Sequence, residues 1–406
     1  MASYVQTSQA ETLAPPTERY TLLGWVYKHL LSPWYNLVLT LVGGLLLYAI
    51  FKPALTWAFT GARWAVIPAN LNLLMRGQYP AEEAWRLWAV IFLLALAGGY
   101  NWGVWSKTVG PALITAFAIP WLLMLVPWFS WGTRLNLLIV EAVGLVGYAL
   151  GRITPKQRSQ WAVYAFLAYL LAMLLLLRGL QEGHPTLPMV PTRLWGGLLL
   201  SLLLAFFGIV FSFPLGVLLA LGRTAERMPA IQTISVLYIE FIRGVPLISL
   251  LFMSQVMLQL FLPEDFPQID HMLRALAAIT LFSAAYTAEN VRGGLQSIPK
   301  GQYEAAASVG LNGYQTMRLI ILPQALRAVI PVLVGQFIGL FKDTSLVALV
   351  GLFDLLGIAR VILANPDWLG TQREVYVFIA FLYWIFSYLM SYSSRRVEEA
   401  LGVGKF

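Results

Sequence analysis

The sequence predicts an all-α integral membrane protein, and three features lead to this prediction. Of the 406 residues, 59% are hydrophobic and only 11% are charged, whereas soluble domains carry about 25% charged residues. The apolar residues fall in long runs, and a helix needs about 20 of them to cross a bilayer. The short alternating segments of a transmembrane barrel are absent from the sequence. Helices are therefore expected, because they satisfy their own backbone hydrogen bonds in lipid.

Ten segments are predicted as membrane-spanning helices from their length and apolar character. They are residues 36–58, 87–105, 110–128, 135–153, 160–179, 195–222, 233–261, 274–291, 324–342 and 374–394. Residues 340–368 are also apolar, but Lys342, Asp343 and Asp354 interrupt them. Broken backbone at membrane depth must face protein or water, so this stretch is predicted to be a re-entrant or half-buried helix that lines a cavity.

Linkers and charges predict the domain organisation and the orientation. Residues 1–35 are polar and lack the plan of a cleaved signal, so they are expected to form a cytoplasmic tail. A linker at residues 181–193 with three prolines separates an N-terminal multi-span extension from a second membrane domain, and a short tail follows. These three parts are residues 36–194, 195–395 and 396–406. Basic clusters at 152–158, 223–227 and 395–405 predict that both termini are cytoplasmic and that the acidic loop 263–270 is external.

Composition also excludes several classes of site. The net charge of +8 is expected to come from cytoplasmic loops rather than from a nucleic-acid surface. The chain has no cysteine and only three histidines, which excludes thiol chemistry and argues against a histidine-rich metal site. No Walker A sequence is present, so this chain is not expected to bind ATP.

The segment EAAASVGLNGYQTMRLIILP, residues 304–323, predicts a helix, a turn and a second helix between two apolar runs. Gly310 can adopt the left-handed conformation that ends a helix, and Asn312 begins a turn signal. Pro323 suits the first turn of the next helix. We expect the small-residue face of the first helix to lie in the groove of a partner protein, with Glu304 as a directed charge.

The same segment resembles the EAA motif of bacterial ABC importer permeases. The matching positions are Glu304, Ala305, Ala306, Gly310, Ile320, Leu322 and Pro323. In that family the loop forms the coupling helix that docks into the ATPase subunits. Residues 238–252, 283–310 and 342–356 resemble polar amino-acid uptake permeases. The extension is similar to that of the larger permease subunit of general L-amino-acid importers.

The resemblance implies a function and a set of partners. It implies a five-helix permease core in the C-terminal half, forming half of a translocation pore in the bacterial inner membrane. The implied partners are a second, related permease subunit (a heterodimer or a homodimer), two ATPase subunits that bind ATP and magnesium, an extracytoplasmic amino-acid-binding protein and membrane lipid. No cofactor in this chain and no nucleic acid is implied.

Two other functions are weighed against an importer permease. An ion-driven secondary amino-acid transporter would show inverted repeats and a midplane carboxylate, and neither is apparent in the sequence. A membrane anchor without a transport role does not account for the EAA segment.

Ionisable residues within spans are candidates for function because they are costly in a membrane. Glu289 and Arg292 are three residues apart on a predicted helix. They are expected to form a structural clamp near the cytoplasmic gate, the alternative being contact with the substrate's charged groups. For Glu240 and Arg243, snorkelling and intersubunit pairing are favoured over ligand contact.

The segment Lys342, Asp343, Thr344 and Ser345 is a candidate substrate site. Asp343 is suited to the ammonium group of an amino acid. Lys342 and the free amides of a broken helix are suited to its carboxylate. The alternative is that Asp343 caps the next helix.

Overall fold

The computed structural model describes residues 22–105, 111–155, 160–181, 183–263, 265 and 267–401. Within these ranges the chain forms helices and no β-strand. It divides into two compact units, residues 1–63 and 64–406. The first unit contains α1 (Leu22–Val26) and α2 (Trp34–Thr56), each followed by a π-helical turn. Helical structure thus begins inside the predicted tail, whose residues 1–21 lie outside the described part.

The second unit begins with five helices and continues with ten more. The first five are α3 (Val66–Arg76), α4 (Ala84–Trp105), α5 (Pro111–Met124), α6 (Trp131–Ile153) and α7 (Gln160–Arg178). The others are α8 (Gly197–Arg223), α9 (Pro229–Gly244), α10 (Leu247–Phe252), α11 (Leu258–Phe261), α12 (His271–Ser297), α13 (Lys300–Ser308), α14 (Gly313–Thr316), α15 (Leu322–Asp343), α16 (Leu355–Ala364) and α17 (Gln372–Leu401).

Fewer helices than predicted are long and apolar enough to span a membrane. Among the described residues there are seven, or eight if one bent pair counts as a span. The bent pair, α9 with α10 and α11, turns through 104° where Pro246 cannot continue the helix. The predicted span 110–128 extends too far at its C-terminal end, because α5 ends at Met124. The predicted span 274–291 lies in α12. This helix is long enough to cross a membrane, but its polar side chains make it less apolar than the seven candidate spans.

Glycines bring α4 and α6 into backbone contact. A Cβ atom at Gly99 would collide with the carbonyl oxygen of Gly144, and one at Gly147 would collide with the carbonyl of Leu96. The same holds for Gly103 and Tyr148. Small residues allow helix backbones to approach closely in a membrane, where packing replaces the hydrophobic effect as the driving force.

The extension packs directly on the second membrane domain. Leu177 of α7 and Tyr79 share an apolar core with Leu200 and Leu204 of α8. The Tyr79 hydroxyl donates a hydrogen bond to the Leu177 carbonyl over 3.0 Å. Packing is therefore continuous across residue 195, and the domain boundary predicted there remains a prediction.

The centre of the second domain is α12. It packs along α8 and along α15 and also contacts α9. Its buried face is rich in small residues, including Ala284, Ala285 and Ala288, which are fully buried. A Cβ atom at Gly216 of α8 would collide with the side chain of Thr287, so these two helices are in close contact. The bounds of α12 and α15 place the EAA segment directly between them.

Gly98 and Gly99 provide a matched test of the close helix contact. Gly99→Leu drives a side chain into the backbone of α6, an overpacking strain that costs about 1–3 kcal/mol. A Cβ at Gly98 meets no heavy atom within 4 Å, so Gly98→Leu is expected to be tolerated. Thermal unfolding of the purified protein in detergent should show a lower midpoint for Gly99→Leu alone. Equal midpoints for the two variants would contradict the contact.

Candidate coupling and transport site

The EAA loop, residues 300–323, folds as two helical segments joined at Gly310. The first segment is α13, and Gly310 follows it with a φ of 83°, a conformation that favours glycine. Asn312 then caps α14 through a capping box with Gln315, whose amide N–H bonds the Asn312 side chain over 2.9 Å. The predicted helix, glycine stop and second helix are all present.

One small residue of α13, Ala306, points into the chain, whereas its neighbours Ala305 and Ala307 are exposed. Ala306 is 1% exposed, where α13 packs on α14 and the following turn. Its carbonyl accepts a hydrogen bond from the Leu311 amide over 3.1 Å. The expectation that Ala306 lies against a partner's groove is therefore wrong. Its small size instead lets the loop fold back on itself.

Other side chains of the loop form an exposed apolar surface. Val309, Tyr314 and Leu319 are 73%, 69% and 63% exposed, and Tyr303 is 39% exposed. Glu304 is also exposed. We call these five residues the loop surface. Exposed apolar side chains on a short structured loop are typical of an interaction site.

The loop continues into α15 without a break. A π-helical turn at Met317–Ile321 joins α14 to α15, and Pro323 follows as the second residue of α15. Proline has no N–H to donate to the preceding turn, and a π turn accommodates such a loss. Pro323 thus lies in the first turn of α15, as predicted, and the π-helical turn makes the loop continuous with that helix.

Five charged side chains converge where α8, α9 and α12 meet. We call Arg223, Glu240, Arg243, Glu289 and Arg292 the charge cluster. Glu289 accepts from Arg292, whose Nε lies 3.1 Å from Oε1. The other carboxylate oxygen of Glu289, Oε2, lies 3.3 Å from Arg223 Nη1 and 3.8 Å from Arg243 Nη1. Arg223 Nη1 also lies 2.9 Å from Glu240 Oε1. One half-buried carboxylate thus holds arginines from three helices.

Four of the five residues of the charge cluster were singled out from the sequence. Glu289 and Arg292 pair as expected for a structural clamp. Glu240 and Arg243, for which snorkelling and intersubunit pairing were expected, each have a partner within this chain, Arg223 for Glu240 and Glu289 for Arg243. Arg223 was predicted only as part of a basic loop. The signal for its place in the cluster was its position in the last turn of an apolar helix.

A second polar group, the amide hub, connects α12 to α15. The Gln336 side-chain nitrogen lies 2.9 Å from the Ser283 carbonyl and 2.8 Å from the Thr287 hydroxyl. The Asn290 amide donates to Gln336 Oε1 over 2.6 Å. These hydrogen bonds tie the helix before the EAA loop to the helix after it. Gln336 was not singled out from the sequence, where its only signal is a lone amide in an apolar run.

Residues 342–345 lie at the end of α15, where the helix tightens to a 3₁₀ helix over Thr344–Val350. Lys342 is exposed and Asp343 is half-buried. Among the described residues, the Asp343 carboxylate accepts no hydrogen bond and pairs with no cation. The Thr344 and Ser345 hydroxyls donate back to the backbone, to the carbonyls of Phe341 and Lys342. Asp343 and Lys342 are therefore the groups of this segment that remain available to a ligand.

The helix cap that was considered for Asp343 belongs to Asp354. The Asp354 side chain accepts hydrogen bonds from the amides of Gly357 and Leu356 over 2.9 and 3.2 Å at the start of α16. It is completely buried, and the Ser201 hydroxyl accepts from the neighbouring Leu355 amide over 3.1 Å. The capping alternative for Asp343 is thus wrong, and residues 340–368 are broken as predicted.

The chain is similar to transport proteins of the inner membrane. Residues 212–402 match the family described as "Binding-protein-dependent transport system inner membrane component". The inner membrane amino-acid ABC transporter permease protein YhdY of Escherichia coli is 39% identical over 398 residues, which cover 94% of this chain and 93% of that protein. The glutamate/glutamine/aspartate/asparagine transport system permease protein BztC of Rhodobacter capsulatus is 38% identical, and 98% of each chain is covered.

A shorter relative matches only half of the chain. The probable glutamine ABC transporter permease protein GlnP of Bacillus subtilis is 36% identical over 205 residues, 50% of this chain and 92% of that protein. The longer relatives, by contrast, also share the N-terminal extension. A match of this strength along nearly the whole of two chains shows common descent, and this protein belongs to the family of amino-acid ABC transporter permeases, the inner membrane components of binding-protein-dependent transport systems.

Proposed function

We propose that this chain forms half of the pore of an importer for polar L-amino acids, beside a second, related permease subunit. Importers of this family work with ATPase subunits and a binding protein. ATP and magnesium belong to the ATPase subunits in this proposal, and this chain supplies the path and the docking surface. The observation that carries it is the EAA loop, which joins α12 and α15 and exposes apolar side chains that its own chain leaves uncovered.

The loop surface is proposed as the ATPase contact. Val309, Tyr314 and Leu319 supply apolar area, and aromatic side chains are common anchors of protein interfaces. Glu304 lies at the rim, where one charge contributes about 0–1 kcal/mol. Buried Ala306 and Gly310, with its positive φ, hold the loop in its fold. The exposed Ala305 and Pro323 and the partly exposed Ile320 and Leu322 complete the proposed coupling loop.

Motion of the loop is transmitted to the membrane helices by direct connections. The π turn makes the loop continuous with α15, and the Gln324 amide lies 3.1 Å from the Gln302 side chain of α13. The amide hub then links α15 to α12. We infer that ATPase movement shifts α12 and α15 together, while the charge cluster serves as a clamp that holds α12 against α8 and α9.

The charges of the loops indicate how the chain is oriented in the membrane. Arg223 lies at the end of α8, and the EAA loop follows the end of α12. Both helix ends lead into basic loops, and positively charged loops are retained on the cytoplasmic side of the membrane. We propose that this end is cytoplasmic, that both chain termini are cytoplasmic and that the loop 263–270 is external.

Asp343 and Lys342 are proposed as the contact for the substrate's zwitterion. The Asp343 carboxylate is half-buried and without a partner among the described residues, which suits an ammonium group. Lys342 is adjacent and suits a carboxylate. The printed name of BztC includes glutamate, glutamine, aspartate and asparagine, and we propose these as the first substrates to examine here.

Alanine substitutions on the loop surface test the docking proposal. Tyr314→Ala with Leu319→Ala removes two exposed apolar anchors, each worth about 1–2 kcal/mol or more if it is buried at an interface. We expect weaker pull-down of the ATPase subunits and a loss of binding-protein-stimulated ATP hydrolysis in proteoliposomes. Leu218→Ala in α8, 64% exposed against 63% for Leu319, is the control and should retain both. Full stimulation in the double variant would mean that the loop surface is not the ATPase contact.

Alanine substitutions at two aspartates separate substrate contact from helix capping. Asp343→Ala should reduce amino-acid uptake while complex assembly and basal ATP hydrolysis persist, because the Asp343 carboxylate makes no hydrogen bond or ion pair among the described residues. Asp354→Ala should impair assembly, since loss of a helix cap costs about 0.5–2 kcal/mol and the site is buried. Uptake by labelled substrate and size-exclusion chromatography report on the two effects. Wild-type uptake in Asp343→Ala would remove this residue from the substrate path.

A further inference from the structure

A buried arginine without a carboxylate partner lies near the start of α12. Arg274 is only 6% exposed, although arginine is almost never fully buried unless it is paired. Within the part of the chain that the structure describes, it forms no ion pair, and its Nε has no hydrogen-bond partner. A buried charge without a counter-charge is costly. The coupling and transport roles described above do not use this guanidinium.

The neighbouring backbone fixes the orientation of the guanidinium. Its Nη1 donates a hydrogen bond to the Gln255 carbonyl over 2.6 Å, within a π-helical turn at Met253–Met257. The Gln255 side chain donates to the His271 carbonyl over 2.7 Å, which ties the π turn to the start of α12. The edge formed by Nε and Nη2 makes no hydrogen bond among the described residues. Such an edge matches a carboxylate through two parallel hydrogen bonds, so Arg274 is held with its anion-binding edge open.

Contacts between α12 and α15 show the depth of Arg274 relative to Asp343. Ser283 and Thr287 of α12 both contact the side chain of Gln336 in α15, and the two helices run antiparallel. Counted from this contact at 1.5 Å per residue, Arg274 lies about 6 Å, or one helical turn, beyond Asp343 toward the proposed external side. This difference in depth is comparable with the length of a glutamate molecule.

We propose that Arg274 binds the side-chain carboxylate of glutamate or aspartate during transport, while Asp343 and Lys342 hold the α-ammonium and α-carboxylate groups. This inference rests on the proposed function and names acidic amino acids as a substrate class of the same site. Arg274 is buried between α12 and the π turn, so a small molecule within the bundle reaches it more readily than a side chain on the surface of a partner protein.

The charge of the ligand then decides how strongly Arg274 contributes. A carboxylate supplies the negative charge that the described surroundings of Arg274 lack. The amide of glutamine or asparagine offers only a neutral oxygen, and hydrogen bonds between two charged groups are roughly twice as strong as neutral ones. Arg274 thus favours acids over amides.

Uptake of acids and amides by one variant tests the assignment. The complex is reconstituted with its partner subunits and binding protein, and ATP-dependent uptake of labelled glutamate, aspartate, glutamine and asparagine is measured. Arg274→Gln should lower uptake of both acids about tenfold or more, since hydrogen bonds to charged groups are worth a factor of this size, and should retain amide uptake. Arg193→Gln is the matched control, at an exposed arginine in the turn Thr192–Leu194 that contacts α12, and should leave uptake of all substrates unchanged.

Arg274→Lys covers the case in which Arg274→Gln does not assemble, as judged by size-exclusion chromatography. Lysine keeps the charge but not the two-pronged edge, so the ratio of acid to amide uptake should fall. The inference is overturned if an assembled variant keeps the wild-type ratio, if neither variant assembles, or if the wild type takes up amides but not acids. It is also overturned if Arg274→Gln releases a partner subunit and lowers uptake of all substrates equally, which would identify a protein carboxylate as the counter-charge. A wild-type complex without ATP-dependent uptake of any of these amino acids would instead refute the proposed function on which the inference rests.

Discussion

The hydrocarbon core of a bilayer offers no hydrogen-bond partners, and the arrangement around α12 follows from this constraint. Glu289 lies among helices that are otherwise apolar, and an unpaired carboxylate there would be costly. Three arginines from α8, α9 and α12 supply its partners. Because those arginines must reach one carboxylate, the ends of the three helices are fixed relative to each other.

The polar side chains of the amide hub must likewise find hydrogen-bond partners within the bundle. Gln336, Asn290, Ser283 and Thr287 satisfy one another across the contact between α12 and α15. Small residues on α12 then allow α8 to approach closely. The helices on either side of the EAA loop therefore behave as one packed unit, and a displacement of the loop is passed to both. This is the physical basis of the coupling role proposed for the loop.

The sequence predicted the elements of this site better than their contacts. Gly310, with its positive φ, and the turn at Asn312 were identified because their residue types determine local backbone geometry. The inward direction of Ala306 was not, because burial of one face of a short helix depends on what packs against it. The contact between Glu240 and Arg223 was not predicted, because the two residues are 17 positions apart in the sequence and lie on different helices.

Two further differences have the same origin. Asp343 and Asp354 are both acidic residues in one interrupted apolar stretch, and only the positions of Ser201 and α16 show that Asp354 is the cap. The count of spans also depends on tertiary structure, since α12 lies at the centre of the bundle and so tolerates polar residues that a lipid-facing helix does not. Local chemistry is therefore readable from the sequence, whereas pairing over long separations is not.

The source of energy is the most direct test of the account. The complex reconstituted into proteoliposomes is supplied with the binding protein and labelled glutamate, glutamine, aspartate or asparagine on the binding-protein side, with ATP accessible or absent on the ATPase side. We predict uptake that requires hydrolysable ATP and that persists when protonophores and sodium ionophores remove all ion gradients. Uptake that proceeds without ATP and stops when the gradients collapse would contradict the account and indicate an ion-driven transporter.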